Sequence, residues 1–203
     1  TPLDRLLQLT REVPLANCRL SVLFYFSATV HPNFERKKDM TTINLFLLVT
    51  ALASGLIAGL FYSYSCSVNP GLGALPDASY LAAMQSINRA ILNPIFFFSF
   101  MGTALLLPLS TYQHFGTGSR FYLLLGACLA YLIGTFGVTV VGNVPLNEAL
   151  DKMNLTGASA QELAANRLRF EVPWNRLHAI RTYASVLSFV LVLLACLTSI
   201  DKS

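Results

Sequence analysis

Four stretches of this chain are long, apolar and almost free of charge. Residues 43–68, 90–109 and 121–141 carry no charged side chain, and residues 177–200 are apolar apart from His178 and Arg181 near their start. A helix of about 20 such residues crosses the roughly 30 Å of bilayer hydrocarbon. In lipid the helix also satisfies its own backbone groups, so runs of this length argue against strands of a soluble sheet. The fold expected is all-α: an integral membrane four-helix bundle, with a short amphipathic helix between spans 1 and 2.

Composition agrees with that frame. Of 203 residues, 54% are hydrophobic and 12% charged, with a mean hydropathy of +0.57. The charged share is about half that of a soluble globular domain, which argues against a soluble enzyme and against disorder. The excess of Lys+Arg over Asp+Glu, 14 against 10, is small and forms no long basic run. No nucleic-acid partner is expected. The lipid bilayer is the first partner, and the location expected is a bacterial inner membrane.

Residues 1–39 stand apart. Residues 22–30 are apolar but too short to span, and Arg36, Lys37 and Lys38 follow them. No early basic start or small-residue cleavage site makes this a signal peptide. Met40 directly precedes the first span, so 1–39 are read as an N-terminal tail of open status and 40–203 as the membrane domain. Cys18, Cys66, Cys128 and Cys196 are scattered without metal-ligand spacing, and are expected to be buried thiols.

Four spans put both termini on one side and the two longer connections, 69–89 and 143–176, on the other. The side facing the cytoplasm is open, because the Lys/Arg count favours the terminal side with the tail included and the loop side without it. The topology nevertheless gathers the unusual polar residues at the loop-side face. Gly55 and Gly59 in span 1 form a small-xxx-small pattern for close helix packing. Span 1 is expected to end at Asn69-Pro70. A helix over 79–88, capped by Asp77 or Ser79, places Leu81, Met84, Gln85 and Asn88 on one face. Its two amides either cap neighbouring helix ends or meet a ligand. Asn93-Pro94 falls one turn into span 2, where Asn93 is placed to donate to a carbonyl that the proline leaves unpaired. Span 3 spaces Tyr131, Thr135, Thr139 and Asn143 four apart and ends in Gly142-Asn143-Val144-Pro145-Leu146-Asn147.

Span 4 carries the strongest signal. Trp174, His178, Arg181, Ser185 and Ser188 share one helical seam. An arginine at mid-bilayer costs roughly 2.5–3.5 kcal/mol on insertion scales, so an intramembrane Arg-His pair reads as a site unless it snorkels outward. A weak internal echo also appears: Gly59 precedes Pro70 by the same interval as Gly134 precedes Pro145.

The run from Gly59 to Pro70, then Met84-Gln85-Ser86-Ile87-Asn88-Arg89 and Asn93-Pro94, resembles the DUF1772 family of anthrone oxygenase-like membrane proteins. Gly142 to Asn147 and Trp174-Asn175-Arg176-Leu177-His178-Ala179-Ile180-Arg181 fit the same pattern, and the resemblance covers about residues 43–200. One departure is Asn69, where a hydrophobic residue, often Met, is expected before the proline.

The resemblance implies a membrane-embedded oxidation of a planar aromatic, anthrone-type substrate, with molecular oxygen as co-substrate and no cofactor. Such chemistry needs a base, an oxyanion stabiliser and a flat apolar pocket. His178 is the expected base, with Arg181 and Asn143 as the other catalytic residues. Trp174, Asn147, Gln85, Asn88, Tyr62 and Phe96 are the expected substrate-binding residues. A non-catalytic scaffold or a lipid- or quinone-binding subunit is the alternative, and predicts polar residues that pair only with each other and enclose no cavity. A small transporter is less well supported, because one four-helix unit offers no alternating pathway unless it oligomerises, and a metal site because only His178 of the three histidines falls in the proposed site. A homo-oligomer is compatible with all of these.

Overall fold

The computed structural model describes residues 42–198, so the expectations placed on 1–39, Cys18 included, lie outside the described residues. The chain divides into two compact units, Thr1–Leu45 and Phe46–Ser203. The first is described only where a helix begins at 42–45, and the site lies wholly in the second. The described residues form five helices, which we number in order: α1 Thr42–Gly73, α2 Asp77–Ala90, α3 Pro94–Gln113, α4 Ser119–Asp151 and α5 Ala160–Leu197. All but α2 are long and apolar enough to cross a membrane. The protein is an all-helical, multi-pass membrane bundle.

Several boundaries differ from the sequence reading, each for a local reason. Neither Pro70 nor Pro145 ends its helix. A π-helical turn, Tyr64–Val68, leads into Pro70, and another, Thr139–Asn143, leads into Pro145. Each proline then occupies one of the first two positions of the α-helical segment that follows, where its missing N–H matters least. The internal echo thus marks two copies of one device. Span 2 begins at Pro94 rather than residue 90, because Asn93 is its N-cap and accepts from Phe96 N at 3.0 Å. Asn93 also donates to Ala90 O at 2.9 Å. Span 4 starts far before residue 177, at a capping box made by Ser159 and Glu162. α2 starts at Asp77, and neither Asp77 nor Ser79 caps it.

α4 and α5 pack extensively along one another. A Cβ placed on Gly134 would stand 2.5 Å from Ala184 Cβ, so only glycine permits this approach. Gly55 likewise faces the Phe189 ring, whereas Gly59 has nothing within 4 Å. The small-xxx-small reading therefore holds for one of its two glycines. Several polar groups between the spans pair within the bundle: Thr50 meets Ser110 at 2.8 Å, Tyr131 donates to Phe100 O at 2.8 Å, and Ser188 donates to Ala127 O at 2.8 Å. Leu52, Phe98, Leu105, Ile133 and Leu187 face outward, as a lipid-contacting surface requires. Cys128 is buried as expected, but Cys66 and Cys196 are exposed free thiols, because they fall on the outward faces of α1 and α5.

Apolar packing forms two clusters. One fills the bundle centre around Phe61, Phe100 and Tyr131. The second sits at the loop-side end, where α2 lays Tyr80, Leu81 and Met84 against Leu150, Phe170 and Trp174. Arg167 of α5 secures that end. It donates to Gly73 O at 2.9 Å, to Leu75 O at 2.8 Å, to Asp77 at 3.0 Å and to Glu171 at 2.6 Å. Its guanidinium also lies 4.5 Å from the Tyr80 ring centre. Burial, with Glu171 adding to it, pushes the Tyr80 hydroxyl well above the usual tyrosine range.

Candidate functional site

The seam of α5 turns Trp174, His178 and Arg181 into the bundle, and all three are buried. Arg181 Nε donates to His178 Nδ1 at 3.1 Å. A guanidinium only donates, so Nδ1 is the acceptor and the imidazole proton sits on Nε2. From Nε2 the ring reaches Ser65 Oγ at 2.9 Å. Trp174 stacks on the imidazole with centres 5.0 Å apart and planes at 12°, while Phe61 and Tyr64 approach it edge-on.

The same aromatic groups hold the arginine. Arg181 Cζ lies 4.5 Å from the Phe61 ring centre and 5.1 Å from that of Trp174. Among the described residues no carboxylate forms an ion pair with Arg181; the ion pairs there join Arg89 to Asp151 and Arg167 to Asp77 and Glu171. A cation withdrawn from water is costly without an anion, and cation–π contacts of about 2 kcal/mol offset only part of that. A guanidinium so placed has the chemistry to hold an oxyanion.

Arg181 lines a cavity of about 100 Å³ to which all five helices contribute. Phe61 and Tyr64 of α1, Asn88 of α2, Phe96 of α3, Thr139 and Asn147 of α4, and Trp174 of α5 contribute to its wall. A second cavity of about 220 Å³ adjoins it on the loop side. Asn88, Leu92, Val144 and Asn147 line both, and Arg89, Glu148, Asp151 and Lys152 form the outer rim.

Five of the nine residues expected from sequence meet at the inner cavity: Arg181, Trp174, Asn147, Asn88 and Phe96. Asn147 Oδ1 accepts from Trp174 Nε1 at 2.8 Å and sets the indole plane. His178 is not among the lining residues, and stands behind Arg181 and Trp174. Asn143 is also set back: its Nδ2 donates to Trp174 O at 3.3 Å, and its buried Oδ1 is unpartnered. Gln85 caps the end of α4, donating to Leu150 O at 2.8 Å and to Met153 O at 3.0 Å. Tyr62 is exposed on the outer face of α1.

Sequence reasoning missed Phe61 and Tyr64, although the signal was there. Phe61, Tyr64 and Ser65 stand at i, i+3 and i+4, one face of a helix, and Tyr62 lies about a quarter turn from Phe61, off the centre of that face. A family model described as anthrone oxygenase matches residues 81–191. The chain belongs to the anthrone oxygenase family. Neither a curated protein nor a solved structure matches it. In this anthrone oxygenase family member the matched segment holds Asn88, Phe96, Asn147, Trp174 and Arg181, while Phe61 and Tyr64 come from α1 outside it.

Proposed function

We propose that this protein oxidises a planar, anthrone-type aromatic substrate with molecular oxygen, and that Arg181 holds the substrate oxygen as it becomes an oxyanion. The observation that carries this reading is a guanidinium without a carboxylate partner among the described residues, lining an apolar chamber walled by Phe61, Phe96 and Trp174. A positive charge fixed beside the ketone oxygen in a water-poor site favours the enolate over the ketone.

The steps balance without a further reductant. The methylene of the anthrone loses a proton to water in the outer cavity, leaving an anthrolate whose oxygen faces Arg181. The anthrolate passes one electron to O₂, and the resulting radical pair combines at the former methylene carbon. The peroxide anion so formed takes up a proton, and loss of water leaves the quinone. One anthrone and one O₂ thus give one anthraquinone and one water. His178 holds the guanidinium in place through Nδ1 and is itself oriented by Ser65, which makes it a positioning residue in this scheme.

The test is O₂ uptake by the detergent-purified protein with a model anthrone, against Arg181→Met and a protein-free blank, because anthrones oxidise spontaneously. Acceleration that depends on Arg181 supports the scheme. No acceleration above the blank would sink it in favour of a quinone- or lipid-binding role.

A further inference from the structure

Asn154-Leu155-Thr156 is the only Asn-x-Ser/Thr triplet in the 203 residues, and its middle residue is not the proline that would bar it as a glycan acceptor. It lies in the connection between α4 and α5, where residues 152–159 belong to no helix and Gly157 turns the chain at a φ of 83°.

The groups that such a modification needs are open. Asn154 and Thr156 are both exposed. Asn154 Oδ1 accepts from Thr156 N at 3.0 Å, an Asx turn that brings the carboxamide and the threonine together. Among the described residues Nδ2 forms no hydrogen bond, so a substituent there displaces neither a bond nor a packed side chain.

The connection also stands clear of the bilayer. α4 and α5 have 33 and 38 residues, roughly 50 and 57 Å at 1.5 Å per residue, against about 30 Å of hydrocarbon. Their ends away from the connection are level, because Arg120 in the first turn of α4 donates to Thr198 O just past α5. Glu148, Asp151, Arg167, Glu171 and Arg176 all fall towards the connection, and charges keep that part of both helices out of hydrocarbon. An excess of roughly 20 Å therefore projects on the loop side, with Asn154 near its tip.

We infer that Asn154 is an N-glycosylation site, and that the α4–α5 connection faces the lumen of the secretory pathway. The donor is an oligosaccharide linked to a polyprenyl diphosphate. Asn154 Nδ2 loses a proton and bonds to the anomeric carbon of the sugar. The bond that breaks joins that carbon to the diphosphate, which leaves with its lipid. Both termini are then cytoplasmic, the orientation that the Lys/Arg count gives with residues 1–39 included. The outer cavity, with Asp151 and Lys152 in its rim, opens on the same side as the glycan. The protein belongs in a secretory-pathway membrane rather than in a bacterial inner membrane. This assignment holds whatever substrate the cavity takes.

The test translates the full chain, with a C-terminal epitope tag, in the presence of sealed endoplasmic-reticulum microsomes. Mobility is compared before and after treatment with a peptide N-glycosidase. The wild type and Thr156→Ser are expected to give a slower band that the glycosidase converts to a faster one, because serine keeps the hydroxyl. Asn154→Gln and Thr156→Ala should give the faster band alone. External protease should remove the tag from the carbonate-resistant membrane fraction in all four, which shows insertion with the C-terminus outside. A wild type without the slower band, or a slower band that persists in Asn154→Gln, overturns the glycosylation site. A tag protected from protease overturns the orientation, and the site with it.

Discussion

Arg181 and His178, one helical turn apart on α5, are joined by a 3.1 Å hydrogen bond from the guanidinium Nε to the imidazole Nδ1. The bond occupies the lone pair that a general base at His178 would use. It also ties down the guanidinium of a residue that lines the cavity. The two roles open to His178, base and positioning group, therefore make different demands on its replacement.

Glutamine keeps an acceptor near the position of Nδ1 but has no basic nitrogen. If His178 positions Arg181, His178→Gln retains much of the turnover, within about tenfold, while His178→Leu loses it along with the arginine's hold. Initial rates of O₂ uptake with anthrone, corrected for the blank, decide between them. Equal and large losses in both variants would return His178 to the role of base.

Arg181→Lys keeps the charge but loses the fork and the Nε contact to His178. Turnover should fall about a hundredfold or more, the usual effect of removing one oxyanion donor. Quinone binding read from Trp174 fluorescence should weaken far less, because the aromatic walls persist. A variant with near-normal turnover would show that point charge alone suffices.

Gly134 and Gly59 offer a matched pair for the packing of the bundle. Gly134→Ala forces a methyl into Ala184 Cβ between α4 and α5, and is expected to cost about 1–3 kcal/mol. Gly59→Ala meets nothing within 4 Å and gains helix propensity, so it should be neutral or slightly stabilising. Thermal unfolding in one detergent compares them, and similar midpoints would refute the close α4–α5 contact.

Arg167→Ala removes four donor contacts at the loop-side end, on a side chain that is 15% exposed. A loss of about 1–3 kcal/mol is expected, with α2 loosened first. Protease cleavage in the 74–76 connection, measured against global unfolding, separates local from general destabilisation. Unchanged cleavage would show that apolar packing alone holds α2.

His114, in the turn after α3, is buried, and its Nδ1 lies 2.8 Å from Ser110 O. Burial lowers its pKa below the usual 6.5, with nearby Arg120 acting in the same direction and the Ser110 bond opposing. The sign follows from linkage. The unfolded chain takes up this proton at higher pH than the folded one, so stability contributed by neutral His114 is present above about 6.5 and declines as pH falls below it. His114→Gln should flatten that acid-side decline. An unchanged pH profile of the unfolding midpoint would exclude His114 as its source.

Much of this was legible from local sequence. The four spans could be read because a membrane core demands uninterrupted apolar helices, a constraint expressed residue by residue. The seam from Trp174 to Ser188 was legible for a similar reason, since helical periodicity alone places those side chains on one face of α5. Asn93 as a helix boundary lay within reach too, but a proline inside an apolar run reads equally as an interruption and as a start.

Other features depended on how the helices meet. Tyr62 points outward and Tyr64 inward because of the face of α1 that packs against α5, which the apolar run of span 1 leaves ambiguous. That Asn88 and not Gln85 lines the cavity turned on the position of the last carbonyls of α4, which took Gln85. His178 shares its face with Arg181, yet one touches the cavity and the other does not, because Trp174 and Phe61 fill the space in front of the imidazole. Sequence by itself determined which residues lie on which helical face, since that follows from local geometry. Only the tertiary structure decided which of them meet, because α2 and the π-turns of α1 and α4 set the helix contacts, and those contacts join residues far apart in the chain.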